Sequence, residues 1–364
     1  MGEDVWIQWR FQDRESSSLF DPFNQCAEKS LSLVRDAALE SMVEANKVLV
    51  LYHYFEKDQS YIDNFAHFLR YGYDPSLNYL IIVAGEYSIE LPVLDNIEYL
   101  FTENKNFDYG GYCAAIKNLA LWQQYDFYFF INSSVRGPFL LGYCNQKWTD
   151  LFIEKFSDDV GIVGSVISIT PHEHSIAKMY YQKYGMLDRN DRFLGHVQTT
   201  CYVLSRHVLT QLIESSFYEG VDDLSKDETV RDYEIRLSQL ILDMGLNFQC
   251  MLPEYNQVDY REALVDVNPS SREGDSGFQG SYFGRSAHPY ETTFIKTSRN
   301  TFSDEELQRF AFSMSTQFKA NDYLAQQGLI MTYIQKIQSC ALRVDENTKL
   351  NQRNLLKYFF RKFK

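Results

Sequence analysis

Glu234 is the residue whose type and place most invite chemistry. In the run 231–245 (RDYEIRLSQLILDMG), Leu237, Leu240, Ile241 and Met244 recur at helical spacing and Gly245 ends the pattern. Glu234 lies three residues before Leu237 and seven before Ile241, so it continues the buried face at the helix N-terminus. Asp232 falls about 200° round the same helix and is turned away. The helix dipole, worth ~0.5 kcal/mol, is reason enough for Asp232. It fits a carboxylate on the inward line less well, and there the favoured reading is a catalytic group: within reach of a hydroxyl, such an acid can take its proton.

A second chemical stretch runs from 104 to 139. Asn106, Gly110 and Gly111 suit a turn where backbone approaches a ligand closely, and Asp108 sits within it. After a helix, YDFYFFI reads as a strand buried on both faces, emptying into Asn132, Ser133 and Ser134 and then Arg136. Polar residues at the carboxyl end of such a strand are where open α/β sheets bind ligands. A third stretch, HPYETTFIKTSRN, offers His288, Lys296 and Arg299 just after residues 266–284, a run of Gly, Ser, Pro and charges that reads as a lid. A Lys and an Arg three apart usually mark a solvated helix end. By contrast, His172-Glu173-His174 has no evident partner set to complete a metal site.

The elements that must position these residues follow an α/β rhythm. KVLVLYHYF is an apolar strand, residues 60–72 a helix stopped by Gly72, and LNYLIIVAGE and NIEYLFTEN two more strands. Residues 158–170 add a strand, LGHVQTTCYVLSRHVL a strand and helix, and LNFQCMLPEY a last strand. This rhythm predicts a mostly parallel sheet flanked by helices, with right-handed crossovers. His53, Tyr54 and Glu86 stand at strand ends and are ligand candidates by position, against a reading as ordinary loop polarity. Residues 1–45 predict a helical brace with Leu31, Val34, Ala38 and Met42 on one face. Ser303 with Glu306 makes a capping box, and residues 321–341 give a further helix within a C-terminal appendage, 301–364.

The stretches FINSSVRGPF and HPYETTFIKTSRN carry a resemblance to glycosyltransferases of the GT-A fold, in the branch that includes rhamnan synthesis protein F and related polysaccharide-building transferases. It covers about residues 46–300. The resemblance implies a nucleotide-sugar donor, a glycan acceptor and transfer with inversion, with Glu234 as general base. It implies donor contacts at His53, Tyr54, Glu86, Asn106, Asp108, Gly110, Asn132, Ser133, Ser134, Arg136, His288, Lys296 and Arg299. A His-x-Gln strand puts His196 and Gln198 on the acceptor side, where a plain edge strand with exposed polar residues is the other reading. Most relatives hold a divalent metal with Asp-x-Asp at the triplet. Here that triplet brings no charge, so Mg2+ or Mn2+ is not expected as a cofactor, and Asp108 or Glu86 would be the carboxylates to look to if one were needed.

Composition bounds the rest. At 364 residues with 45% hydrophobic content, 26 Tyr and 27 Phe, the chain is globular. Its net charge of −14 argues against a nucleic-acid binder. Six scattered cysteines without a Cys-x-x-Cys pair or a signal-like start read as buried, reduced and cytoplasmic. The last fourteen residues, five of them Lys or Arg and none acidic, fit a peripheral contact with an anionic membrane, or a tail packed on its own domain. Two other readings of the function stay open: a catalytically inert glycan-binding or scaffold protein, motivated by the missing aspartates, and a sugar-phosphate nucleotidyltransferase, disfavoured because HYFEKDQS is not a glycine-rich phosphate loop.

Overall fold

The structure, a computed structural model, describes residues 46–118, 124–185, 193–220, 223–262 and 267–315. The expected brace at 1–45, the helix at 321–341 and the basic tail at 351–364 lie outside the described residues.

The chain alternates as the sequence suggests. It runs β1 (Val48–Tyr54), α1 (Gln59–Tyr71), β2 (Asn78–Ala84), β3 (Ile97–Thr102), α2 (Phe107–Asn118), β4 (Phe127–Asn132) and β5 (Val135–Arg136). Next come α3 (Trp148–Ile153), β6 (Val160–Gly164), β7 (Ile167–Pro171), α4 (Ser175–Tyr184), β8 (Phe193–Val197), β9 (Cys201–Ser205) and α5 (Arg206–Glu214). A long helix follows in three parts: α6 (Lys226–Thr229), a π-helical turn (Val230–Ile235) and α7 (Arg236–Asp243). The described chain closes with β10 (Asn247–Cys250), α8 (Pro289–Thr292), β11 (Ile295–Lys296) and α9 (Asp304–Ser315).

Seven strands form one sheet in the order β10-β6-β9-β4-β1-β2-β3. All are parallel except β9, which runs antiparallel between β4 and β6. The fold class is therefore the expected one, α/β with a mostly parallel sheet and helices on both faces. Alternation along β1 shows how the faces divide. Leu49 and Leu51 join α2, α5 and α7 in one core, while Val50, Tyr52 and Tyr54 join α1, α3 and α9 in the other. Helix α9, capped by the expected reciprocal bonds between Ser303 and Glu306, buries Leu307, Ala311 and Met314 in that second core.

Two stretches read as single strands are each two. The run 158–170 breaks at Ser165, sending β6 into the main sheet and β7 into a separate hairpin with β8. LGHVQTTCYVLS breaks at Gln198–Thr200, so β8 leaves the hairpin and β9 enters the sheet centre. The cause is tertiary. Gly164 passes so close to Val197 that a Cβ there would overlap its side chain, and the two segments diverge at that crossing.

Helix α2 packs closely on β1 and β2 at Gly111. A Cβ on Gly111 would stand 2.5 Å from His53 Cδ2 and 2.8 Å from Ile82 Cγ2. Gly111→Ala should therefore lose about 1–3 kcal/mol to overpacking, outweighing a helix-propensity gain of about 1 kcal/mol. Denaturant unfolding measures this, and a variant as stable as the parent would mean that His53 moves aside freely.

Candidate active site

A cleft of about 630 Å³ opens over the carboxyl ends of β1 and β4. Its walls come from five places: His53, Phe55, Lys57 and Tyr61 after β1; Asn104 and Phe107–Tyr109 at the start of α2; Asn132–Ser134; Thr199 and Thr200 between β8 and β9; and Lys226, Thr229, Val230 and Glu234 on the long helix. Lys296 and Ser298 close the ring.

The polar triplet braces the floor and spends its groups on the protein. Ser133 Oγ donates to the Phe55 carbonyl and accepts from the Phe55 amide, both at 3.1 Å, tying β4 to the exit of β1. Asn132 Nδ2 donates to Asp108 Oδ2 at 2.8 Å, and its Oδ1 accepts from the Ser134 amide and hydroxyl. The Ser134 carbonyl accepts from the Thr297 amide at 3.1 Å, which with the β5–β11 pairing brings Lys296 to the rim. Asp108 enters the cleft from a strained start to α2, since both Asn106 and Phe107 are left-handed, with φ 54° and 57°.

Glu234 lies in the π-helical turn, a feature common at functional sites. Its side chain is 23% exposed. Thr199 Oγ1 donates to its Oε2 at 3.1 Å, and His196 Nε2 faces its Oε1 at 3.5 Å. Burial pushes this carboxyl up, but the contacts with His196, the charge of Lys296 and the Thr199 bond outweigh it and hold Glu234 below the usual carboxylate value. Asp108 goes the other way. Burial, against the Asn132 bond and with Glu234 adding to it, raises Asp108 to about 6. Burial likewise lowers Lys296, against the pull of Glu234. His53, buried with its Nε2 unpartnered among the described residues, is pushed down to about 4 and is neutral at pH 7. Two carboxylates whose environments drive their proton affinities apart can take separate acid and base roles. Asp232, as expected, points away, held by Lys183 at 2.8 Å and by Arg231 and Tyr184.

Several expected site residues are elsewhere. Tyr54 follows His53 on a strand and so faces the opposite core, bonded to Glu56 and stacked on Phe65. Glu86 is exposed beyond β2 and outside the cleft. Asn106 accepts from the Leu224 amide, and Gly110 is glycine because a Cβ would run into the Lys105 carbonyl, so their close approaches are to protein. Arg136 is buried on the far side of β5, bonded to Asn64 at 2.8 Å and Asp304 at 2.9 Å. His288 caps α8 and packs on Phe310. Arg299 pairs with Asp275 at 2.6 Å and lies over Phe278, in a small adjoining hollow that Gln198 also lines. Gln198 bonds Ser168 and Asp275, and both His196 and Gln198 are buried, unlike residues of an exposed edge strand. The 267–284 run is a chain of tight turns anchored here by Asp275 and by the Gly274 carbonyl bonded to Ile169. His174 caps α4, and no group of three or more His, Cys, Asp or Glu among the described residues is placed to share a metal.

The structure adds cations that sequence reasoning missed. Lys57 and Lys226 line the cleft with Lys296, and none of the three has an ion-pair partner among the described residues. A single lysine after a strand or at a helix start carries no signal of its own, so only their convergence reveals them.

No family model matches the chain, and no curated protein matches it. Similar solved structures include WbbM, a bifunctional glycosyltransferase, at 16% identity over 53% of this chain and 38% of that one, with a TM-score of 0.30. Another is the galactosyltransferase LgtC, solved with donor and acceptor sugar analogues, at 10% identity over 74% of this chain and 98% of that one, with a TM-score of 0.34. A third is glucosyl-3-phosphoglycerate synthase from Mycobacterium tuberculosis, solved with Mn2+, uridine diphosphate and phosphoglyceric acid, at 9% identity over 46% and 58%, with a TM-score of 0.27. The chain spans little more than a third of WbbM. These likenesses are distant and concern the fold alone.

Proposed function

We propose that the protein is a glycosyltransferase that moves a sugar from a nucleotide-diphosphate donor to a glycan hydroxyl with inversion, as its resemblance to polysaccharide-building transferases implies. The observation that carries this reading is the cleft at the strand ends, where one acid is kept ionised beside unpaired lysines. Glu234 takes the proton of the acceptor hydroxyl as its oxygen attacks the anomeric carbon. The bond to the diphosphate breaks on the opposite face, and Lys296, with Lys57 and Lys226, offsets the charge that develops there.

The donor set does not suit a divalent metal. Mg2+ and Mn2+ want several hard oxygens, above all carboxylates. At the triplet, Asn132 Oδ1 is engaged by Ser134 and Ser133 Oγ by Phe55, leaving Asp108, itself bonded to Asn132, and the base Glu234 as the acids that line the cleft among the described residues. The reading therefore routes no step through a metal.

Three outcomes follow. Glu234→Gln should cut turnover by about 10²–10⁴-fold while donor binding, read by thermal shift across a panel of nucleotide sugars, stays near the parent value. Asp232→Asn is the control; activity of Glu234→Gln within a few-fold of the parent would refute the base. An inverted anomeric signal in the NMR spectrum of the first product checks the stereochemistry.

Turnover should persist in EDTA, and Lys296→Ala should cost far more than Asn132→Ala. Complete loss in EDTA with recovery in Mn2+ would show an unrecognised ligand set around Asp108.

Asp108 should weaken the fold where it is charged. Between its ordinary value of 3.8 and about 6, the folded chain keeps a proton that the unfolded chain has lost, so the stability of neutral Asp108 is full below about 4 and disappears as pH rises through about 6. Asp108→Asn should accordingly stabilise the fold at pH 7.5 by at most about 3 kcal/mol, read as a higher melting temperature, and change little near pH 4. Equal melting curves at both values would mean that Asp108 is not strained.

A further inference from the structure

His196 occupies a place that contact with a substrate does not explain. It sits on β8 at 4% exposure and is absent from the cleft wall, behind Glu234. Its Nε2 faces Glu234 Oε1 at 3.5 Å. Its Nδ1 is buried with no partner among the described residues. Burying an imidazole nitrogen unpaired is costly. The polar contact the ring does make is to the carboxylate.

We propose that His196 is a positioning residue for Glu234, presenting Nε2–H to one carboxylate oxygen while Thr199 holds the other. This rests on the reading of Glu234 as the base, and it replaces the expectation that His196 touches the acceptor. With one oxygen held by Thr199 and the other facing His196, the carboxylate's turning is restricted while it still lines the cleft. Three titratable groups face Glu234 from the elements around it: His196 from β8, Lys296 from β11 and Asp108 from α2. Lys296 lines the cleft, so a bound anion competes for its charge. His196 is out of a substrate's reach, so its hold on Glu234 survives donor binding.

The test uses His196→Phe, which keeps the ring volume and removes both nitrogens, and His196→Gln, which restores one N–H donor. His196→Ala gives the same comparison if the Phe variant does not fold. In protein labelled with 13C at glutamate carboxyls, the Glu234 signal is assigned by its loss in Glu234→Gln. The pH dependence of kcat and the acceptor KM are measured alongside. In His196→Phe the Glu234 titration should rise by about one pH unit, and the acid limb of kcat should rise with it. The acceptor KM should stay within about threefold, and His196→Gln should recover most of kcat at neutral pH. An unmoved Glu234 titration overturns the proposal, whether or not the acceptor KM rises. A titration that moves without the kcat limb leaves His196 as the positioning residue and instead removes Glu234 from the role of base.

Discussion

Keeping Glu234 ionised inside a partly closed cleft is the constraint on which the rest of the site depends. Desolvation opposes it, and a carboxylate alone there would take up a proton. Three separate parts of the chain supply the compensation. The β8–β9 link contributes Thr199, the β7–β8 hairpin carries His196, and the β5–β11 pair brings Lys296. None of these is local to Glu234 in sequence. The insertion of β9 antiparallel in the sheet is what makes them converge, because it turns residues 198–200 across the mouth of the cleft.

The same economy governs the positive charge. In a chain of net charge −14, most arginines among the described residues are consumed in ion pairs, Arg136 with Asp304 and Arg299 with Asp275 among them. A paired guanidinium is a poor anion receptor, since the anion must displace a carboxylate already bonded at short range. The unpaired lysines at the cleft are, among the described residues, the cations its wall presents, and under the proposed function they are the ones that meet the diphosphate. Arg299 has a different use: by clamping Asp275, which also holds Gln198, it fixes the 267–284 turns against β7 and β8 and so supports the hairpin that carries His196.

How much of this was legible in the sequence depended on whether the signal was local. The apolar runs of β1, β2 and β4, the Gly72 stop of α1 and the Ser303–Glu306 cap are short-range patterns, and they appear as read. Glu234 reaches the cleft wall as the helical repeat predicts, and the extra residue of the π-helical turn does not move it off the inner face. The strand breaks at Ser165 and at 198–200 were hidden, since nothing in VGIVGSVISIT announces a crossing with Val197. Arg136, His288 and Gly110 lie beside their motifs in sequence but turn to protein partners, because adjacency along the chain does not fix orientation. Tyr54 was avoidable, as two successive strand residues cannot both face one cleft.

The opposite treatment of the two acids is what argues that the cleft is built for turnover rather than only for binding. A site that merely held a glycan would gain nothing from Asp108, whose charge is disfavoured by burial, and which enters through two left-handed residues that are not glycine. Strain of that kind persists where surrounding structure enforces it, and it gathers at sites of chemistry. Asn132 does the enforcing here. Its amide turns its donor side to Asp108. The triplet thus serves as a support for a carboxylate supplied by α2, and the negative charge at this end of the cleft comes from that helix rather than from β4.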